Sequence, residues 1–158
     1  MIEVMEKKEA AGCGVNEMRL EFSALSNNEA FARMAVAAFI MPLNPTLEEI
    51  SDVKTAVSEA VTNAVIHGYE NRNSTADKIY MMCSIRKDVL EVEVEDRGVG
   101  IEDVPRAMEP LFTTKPEMDR SGMGFAFMEA FMDEVLVESE PGKGTCVTLR
   151  KRIGRGKD

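Results

Sequence analysis

Glu59 and Asn63 stand four residues apart in a stretch with helical periodicity, so a carboxylate and a carboxamide share one helix face. Asparagine is a poor residue for a helix interior, which makes Asn63 the more informative of the two. An amide oxygen beside a carboxylate suits Mg2+, a hard cation that takes few protein ligands and keeps waters and substrate phosphates. In that arrangement Asn63 holds the metal and Glu59 orients or deprotonates an attacking hydroxyl.

Two further groups follow in order. Asp96, Gly98 and Gly100 come at the end of an alternating apolar segment, where glycines let the backbone approach a ligand closely. The Asp96 carboxylate can accept a hydrogen bond from an exocyclic amine, which adenine has and guanine lacks at that edge. Ser121, Gly122, Met123, Gly124 and Phe125 then open a helix, and free N–H groups at a helix start bind phosphate. Lys115 and Arg120 precede that start, and Arg120 is placed to neutralise a transferring phosphoryl group. Taken singly, each group reads equally well as an ordinary turn or a solvated helix face. In fixed order they describe a Mg-ATP site. The chain has no Gly-x-x-x-x-Gly-Lys-Ser/Thr loop and none of the His-Arg-Asp or Asp-Phe-Gly motifs of eukaryotic-type kinases. His67, the single histidine, reads as a structural residue near a helix end.

The elements that must position these groups are readable from pattern. Met18 to Phe22 alternates as a first strand. Ser26 and Glu29 have capping-box spacing and open a helix to about Met41, stopped by Pro42 and Pro45, with Phe31, Met34, Ala35, Ala38 and Phe39 as its apolar face. Thr46 and Glu49 form a second capping box. The helix they start runs to about His67, stops at Gly68, and carries an Ile50, Val53, Val57, Ala60, Val61, Ala64 stripe opposite Glu59 and Asn63. Ile79 to Arg86 and Leu90 to Glu95 form a hairpin turning at Lys87 and Asp88. Its second strand alternates apolar with glutamate, as in a sheet covered on one side. Pro110 to Ser121 has no period and reads as a lid. A helix from Gly122 to about Met132 and a hairpin of Val135 to Glu138 with Thr145 to Leu149 complete the pattern. Residues 1–16 read as a flexible extension, 17–150 as one domain, and the basic end from Arg150 as a frayed tail covering 151–158.

Bulk properties narrow the function. The 158 residues suffice for one core, with 44% hydrophobic residues. The net charge of -9 argues against nucleic acid as a direct partner and suits a basic protein. Cys13, Cys83 and Cys146 are isolated, which excludes a disulfide framework or zinc cluster and points to the cytoplasm. No apolar run has transmembrane length.

The motifs also carry a resemblance. Met18-Arg-Leu-Glu-Phe-Ser-Ala-Leu-Ser26, Val57-Ser-Glu-Ala-Val-Thr-Asn-Ala-Val-Ile-His-Gly-Tyr69, and Pro110-Leu-Phe-Thr-Thr-Lys-Pro116 with Arg120-Ser-Gly-Met-Gly-Phe125 resemble the anti-sigma-F factors of spore-forming bacteria. These are serine protein kinases within the ATPase superfamily of gyrase, Hsp90, histidine kinases and MutL. The resemblance spans about Met18 to Leu149. It implies an α/β two-layer sandwich with a mixed, mainly antiparallel sheet and helices on one face. It implies a homodimer built through the first strand, inhibition of the sporulation sigma-F factor, and Mg-ATP-dependent phosphorylation of a serine on the anti-anti-sigma factor. Carried over by position, Glu59 is the catalytic base and Arg120 contacts the terminal phosphate. Asn63 ligates Mg2+. Asp96 and Thr145 read adenine, and Gly98, Gly100, Thr114, Lys115, Ser121, Gly122, Met123, Gly124 and Phe125 shape the nucleotide pocket. Arg33 matches a partner-contacting arginine. The rival readings are the equivalent kinase of the general stress response, a histidine kinase catalytic domain, and a binding module that transfers nothing.

Overall fold

The computed structural model describes residues 14–109 and 124–154. Five strands form one sheet: β1 (Val15–Ser23), β2 (Lys78–Arg86), β3 (Val89–Asp96), β4 (Glu134–Glu140) and β5 (Gly144–Arg152). Their order is β1-β2-β3-β5-β4, and every ladder is antiparallel. The helices are α1 (Asn28–Phe39), α2 (Leu47–Asn63), α3 (Val104–Ala107) and α4 (Gly124–Phe131). The expected two-layer sandwich is therefore what the chain forms, with α1 packed on α2 and α2 on α4.

Alternation in the strands decides which sheet face is covered. Ile79, Met81, Cys83, Leu90, Val92, Val94, Val147 and Leu149 are buried against the helices. The opposite face carries Glu91, Glu93 and Glu95 on β3, where Arg150 bridges Glu91 and Glu134 at 2.5 Å each. Burial, then the neighbouring Glu91 and Glu95 charges, push the Glu93 carboxyl above its ordinary range. Burial also pushes the Cys83 thiol up to about 12, which leaves it protonated and unreactive.

Helix α2 follows its sequence closely. Thr46 accepts from the Glu49 N–H at 3.1 Å and the Glu49 carboxylate accepts from the Thr46 N–H at 2.9 Å, the reciprocal capping box. Its Val53, Val57, Ala60, Val61 and Ala64 stripe is buried. Past Asn63 the helix widens into a π-turn over Ala64–Gly68, closed by Tyr69 N–H donating to the Ala64 carbonyl. Such turns recur at functional sites because they redirect the chain without ending the helix.

Four expectations need correction. The Ser26 capping box does not form: α1 starts without a side-chain cap, and both the N–H and the hydroxyl of Ser26 bond Asn73 Oδ1 instead. The buried face of α1 is Ala32, Val36 and Ala37, extended by Ile40, while Phe31 and Met34 are 52% and 54% exposed. The small alanines let α1 approach α2 closely, which larger side chains would prevent. Finally, the basic end is not frayed where it is described. β5 continues to Arg152, Ile153 is buried, and the Gly154 N–H donates to the Glu49 carboxylate. The strand β1 likewise begins at Val15, before the expected boundary. The expected lid, Pro110 to Ser121, lies outside the described residues.

Candidate active site

A cleft of about 520 Å³ opens between the end of α2, the sheet and the segment running into α3. Its floor is the inner face of β3 and β5, where Val94, Asp96, Thr145 and Val147 line it. Asn63 and Ala64 form one wall, and Gly124 with Phe125 stand at the start of α4. Asp96 and Thr145 are directly paired across the two strands. The sheet thus sets the separation of the two groups expected to read a base, and both are buried.

The Asp96 carboxyl is pushed up to about 6 by burial, against the opposing pull of the Gly98 and Thr145 backbone N–H groups. Gly98 N–H donates to Asp96 Oδ1 at 3.0 Å, folding the loop back on its own carboxylate. That loop is tied to the π-turn in two places. Val99 N–H donates to the Gly68 carbonyl at 2.9 Å, and Arg97 N–H donates to the Tyr69 hydroxyl at 2.7 Å. The Tyr69 hydroxyl in turn donates to the Lys78 carbonyl. The turn after α2 therefore holds the acidic loop in register with the helix.

The close approaches explain the glycines. A methyl group at Gly68 would meet the Asp96 carboxylate carbon at 2.7 Å, a contact no side chain tolerates. A methyl group at Gly124 would stand 3.1 Å from the Asn63 amide and 3.3 Å from a Glu59 carboxylate oxygen. Glu59 and Asn63 therefore converge on the first residue of α4, and they are half-buried rather than on a solvated face. Gly98 abuts the Gly68 carbonyl and Gly100 the Glu140 carbonyl, so both serve packing of the loop as well as ligand approach.

A second, shallower groove of about 460 Å³ lies on the outer side of this junction. It runs between α1 and α2 and holds Arg33, Lys54, Thr55, Ser58 and Glu59. Arg33 pairs with Glu29 one turn before it. Glu59 belongs to this groove, while Asn63, one turn on, belongs to the cleft.

The structure thus assembles Glu59, Asn63, Asp96, Gly98, Gly100, Gly124, Phe125 and Thr145 at one junction, with Arg33 in the adjoining groove. Thr114, Lys115, Arg120, Ser121, Gly122 and Met123 lie outside the described residues. Sequence reasoning missed Gly68, read only as a helix stop, and Tyr69 and Ser139, whose roles depend on partners remote in the chain.

Residues 22–151 match the model of the histidine kinase-like ATPase domain. An anti-sigma F factor of Clostridium botulinum (strain Eklund 17B / Type B) is 58% identical over 138 residues, covering 87% of this chain and 95% of that protein. The chain belongs to the anti-sigma F factor family. The anti-sigma F factor of Bacillus subtilis (strain 168) is 52% identical over 142 residues, covering 90% of this chain and 96% of that protein. Among solved structures, the RsbU and RsbW domains of a Mycobacterium tuberculosis protein superpose with a TM-score of 0.62 at 22% identity. That match covers 89% of this chain and 33% of the other, and it supports the fold. The chain is accordingly an anti-sigma factor with an ATP-binding, kinase-like domain.

The donor set fits magnesium. Among the described residues no group of three or more His, Cys, Asp or Glu side chains gathers at one point. Asn63 offers one neutral oxygen at the cleft wall, which suits an ion that draws most of its shell from phosphates and water. Among the described residues, too, no helix is long and apolar enough to cross a membrane.

Proposed function

We propose that this chain binds Mg-ATP in the cleft, transfers the γ-phosphoryl group to a serine of an anti-anti-sigma factor, and holds sigma-F inactive. The observation that carries this reading is the position of Glu59. Its carboxylate stands at the junction of the two cavities, beside Asn63 of the nucleotide cleft and in the same groove as Arg33. A base that serves a protein hydroxyl must lie between the nucleotide and the outside, and the place of Glu59 in the groove, one turn before Asn63 of the cleft, supports that role.

The reaction needs few protein groups. Transfer passes through a loose transition state, so positioning and charge compensation do most of the work. Val94, Val147, Asp96 and Thr145 line the cleft and would hold the adenine, with Asp96 and Thr145 offering oxygens to its amine. Glu59 accepts the serine proton as the serine oxygen bonds to the γ-phosphorus, the bond to the bridging oxygen breaks, and ADP leaves. Bound at Asn63, Mg2+ would neutralise phosphate charge. The described cleft residues include Glu70, Glu102, Asp103 and Glu109 but Arg106 as their one Arg or Lys, so further compensation falls to Lys115 and Arg120.

Arg33 and the surrounding groove dock the partner proteins, and β1, an edge strand of the sheet, supplies the homodimer contact. The ATP state favours sigma-F and the ADP state favours the unphosphorylated anti-anti-sigma factor.

Incubation with γ-labelled ATP, Mg2+ and a purified anti-anti-sigma factor tests the reading. Label on one serine of that factor is expected. ATP binding without label transfer would make the chain a nucleotide-dependent binding module instead.

A further inference from the structure

Ser139 sits at the end of β4, behind Thr145, in the cross-strand row Asp96, Thr145, Ser139. Its hydroxyl has three neighbours. Ile101 N–H donates to it at 2.7 Å, the Gly144 carbonyl lies at 3.0 Å, and Thr145 Oγ1 lies at 2.7 Å. A serine hydroxyl has one proton to give and two lone pairs to offer. The Gly144 carbonyl can only accept, and the Ile101 amide can only donate. All three contacts become hydrogen bonds in one arrangement alone: Ser139 accepts from Ile101, donates to Gly144, and accepts from Thr145. The alternative, with Ser139 donating to Thr145, leaves two acceptor oxygens 3.0 Å apart with no proton between them.

The consequence lies in the cleft. With its proton fixed toward Ser139, the Thr145 oxygen offers only lone pairs to a ligand. Asp96, its partner across the ladder, also offers acceptors. A purine carrying a 6-amino group brings N–H donors to these acceptors. A 6-oxo purine puts an acceptor at the 6-position and moves its donor to the neighbouring N1–H, so acceptors set to receive the 6-amino group meet an oxygen there, and a site whose buried polar groups go unmatched discriminates strongly. We propose that Ser139 is a positioning residue that sets base specificity: it fixes the Thr145 hydroxyl as an acceptor, so that the Asp96–Thr145 pair selects 6-amino over 6-oxo purines. This rests on the nucleotide-site reading and deepens it.

Calorimetric titration of the full chain with ADP and with IDP, which differ at the base edge, tests the proposal. For the unaltered chain ADP binds more tightly than IDP. Ser139→Ala narrows the IDP-to-ADP ratio of Kd values by about fivefold to tenfold, the worth of one hydrogen bond. Ser139→Thr, which keeps the hydroxyl, restores the ratio. In a Thr145→Val background, Ser139→Ala changes the ratio no further, because its effect passes through Thr145. If Ser139→Ala fails to fold, Ser139→Cys, with its weaker donor, is held to the same criterion. Equal weakening of both ligands in Ser139→Ala would overturn the proposal and leave Ser139 a structural residue. Failure of the unaltered chain to bind ADP would overturn the nucleotide-site reading itself, a distinct result.

Discussion

The Asp96 carboxylate lies directly against Gly68, with no room for a side-chain atom between the π-turn after α2 and the loop that Asp96 begins. Gly68 thus acts on the cleft as well as on the helix. Gly68→Ala must displace a buried carboxylate rather than a flexible surface chain. We expect adenine-nucleotide affinity to fall roughly tenfold to a hundredfold, the value of a charge-assisted hydrogen bond. Titration with ADP measures it, and an unchanged Kd would show that the carboxylate moves freely.

Asp96 also couples the site to pH in two opposite directions. Its folded-state value of about 6 lies above the ordinary 3.8, so the folded chain holds this proton more tightly than the unfolded one. That contribution to stability is fully present below 3.8 and is lost as pH rises through about 6. Binding runs the other way, since the ionised carboxylate is the better acceptor for an amine. ADP affinity is therefore expected to fall as pH drops through about 6. Asp96→Asn should bind ADP more weakly above that pH, with a flatter profile, while being at least as stable. Comparing the two chains at each pH cancels the titration of the ligand phosphates, and parallel profiles would contradict the assignment.

Much of this architecture is legible in the residues themselves. The capping box at Thr46, the buried stripe of α2 and the turn at Lys87 need only neighbours in sequence, and they form as the pattern says. The spacing of Glu59 and Asn63 likewise places them on one face. What that face meets is Gly124 of α4, a packing that no local pattern announces. The same limit explains α1. Both its faces are apolar, and close packing against α2 selects the small residues Ala32, Val36 and Ala37 over Phe31 and Met34. At Ser26 a distant residue, Asn73, captures the groups a capping box would use. Ser139 and Tyr69 matter through partners dozens of residues away.

The Thr46 capping box also bears on stability. Thr46→Ala removes the acceptor for the Glu49 N–H and is expected to cost about 1 kcal/mol. Glu49→Ala should cost more, because that carboxylate also accepts from Gly154 N–H and anchors the end of β5. Urea unfolding gives both values, and the reverse order would deny Glu49 its double role.

Asn63 and the metal are separable from the base chemistry. Asn63→Ala is expected to weaken ATP binding in Mg2+ and to narrow the difference between titrations with and without the ion. It should reduce transfer as well. Unchanged affinity in Mg2+ would remove Asn63 from the metal site.

On the proposed reading, Glu59 serves the acceptor hydroxyl from the junction of cleft and groove. Single-turnover transfer of labelled phosphate to the anti-anti-sigma factor by Glu59→Gln, run beside its ATP titration, tests it most directly. A rate reduced about 10²–10⁴-fold is expected, the contribution of a general base, with ATP affinity largely preserved. Full transfer activity in Glu59→Gln would contradict it.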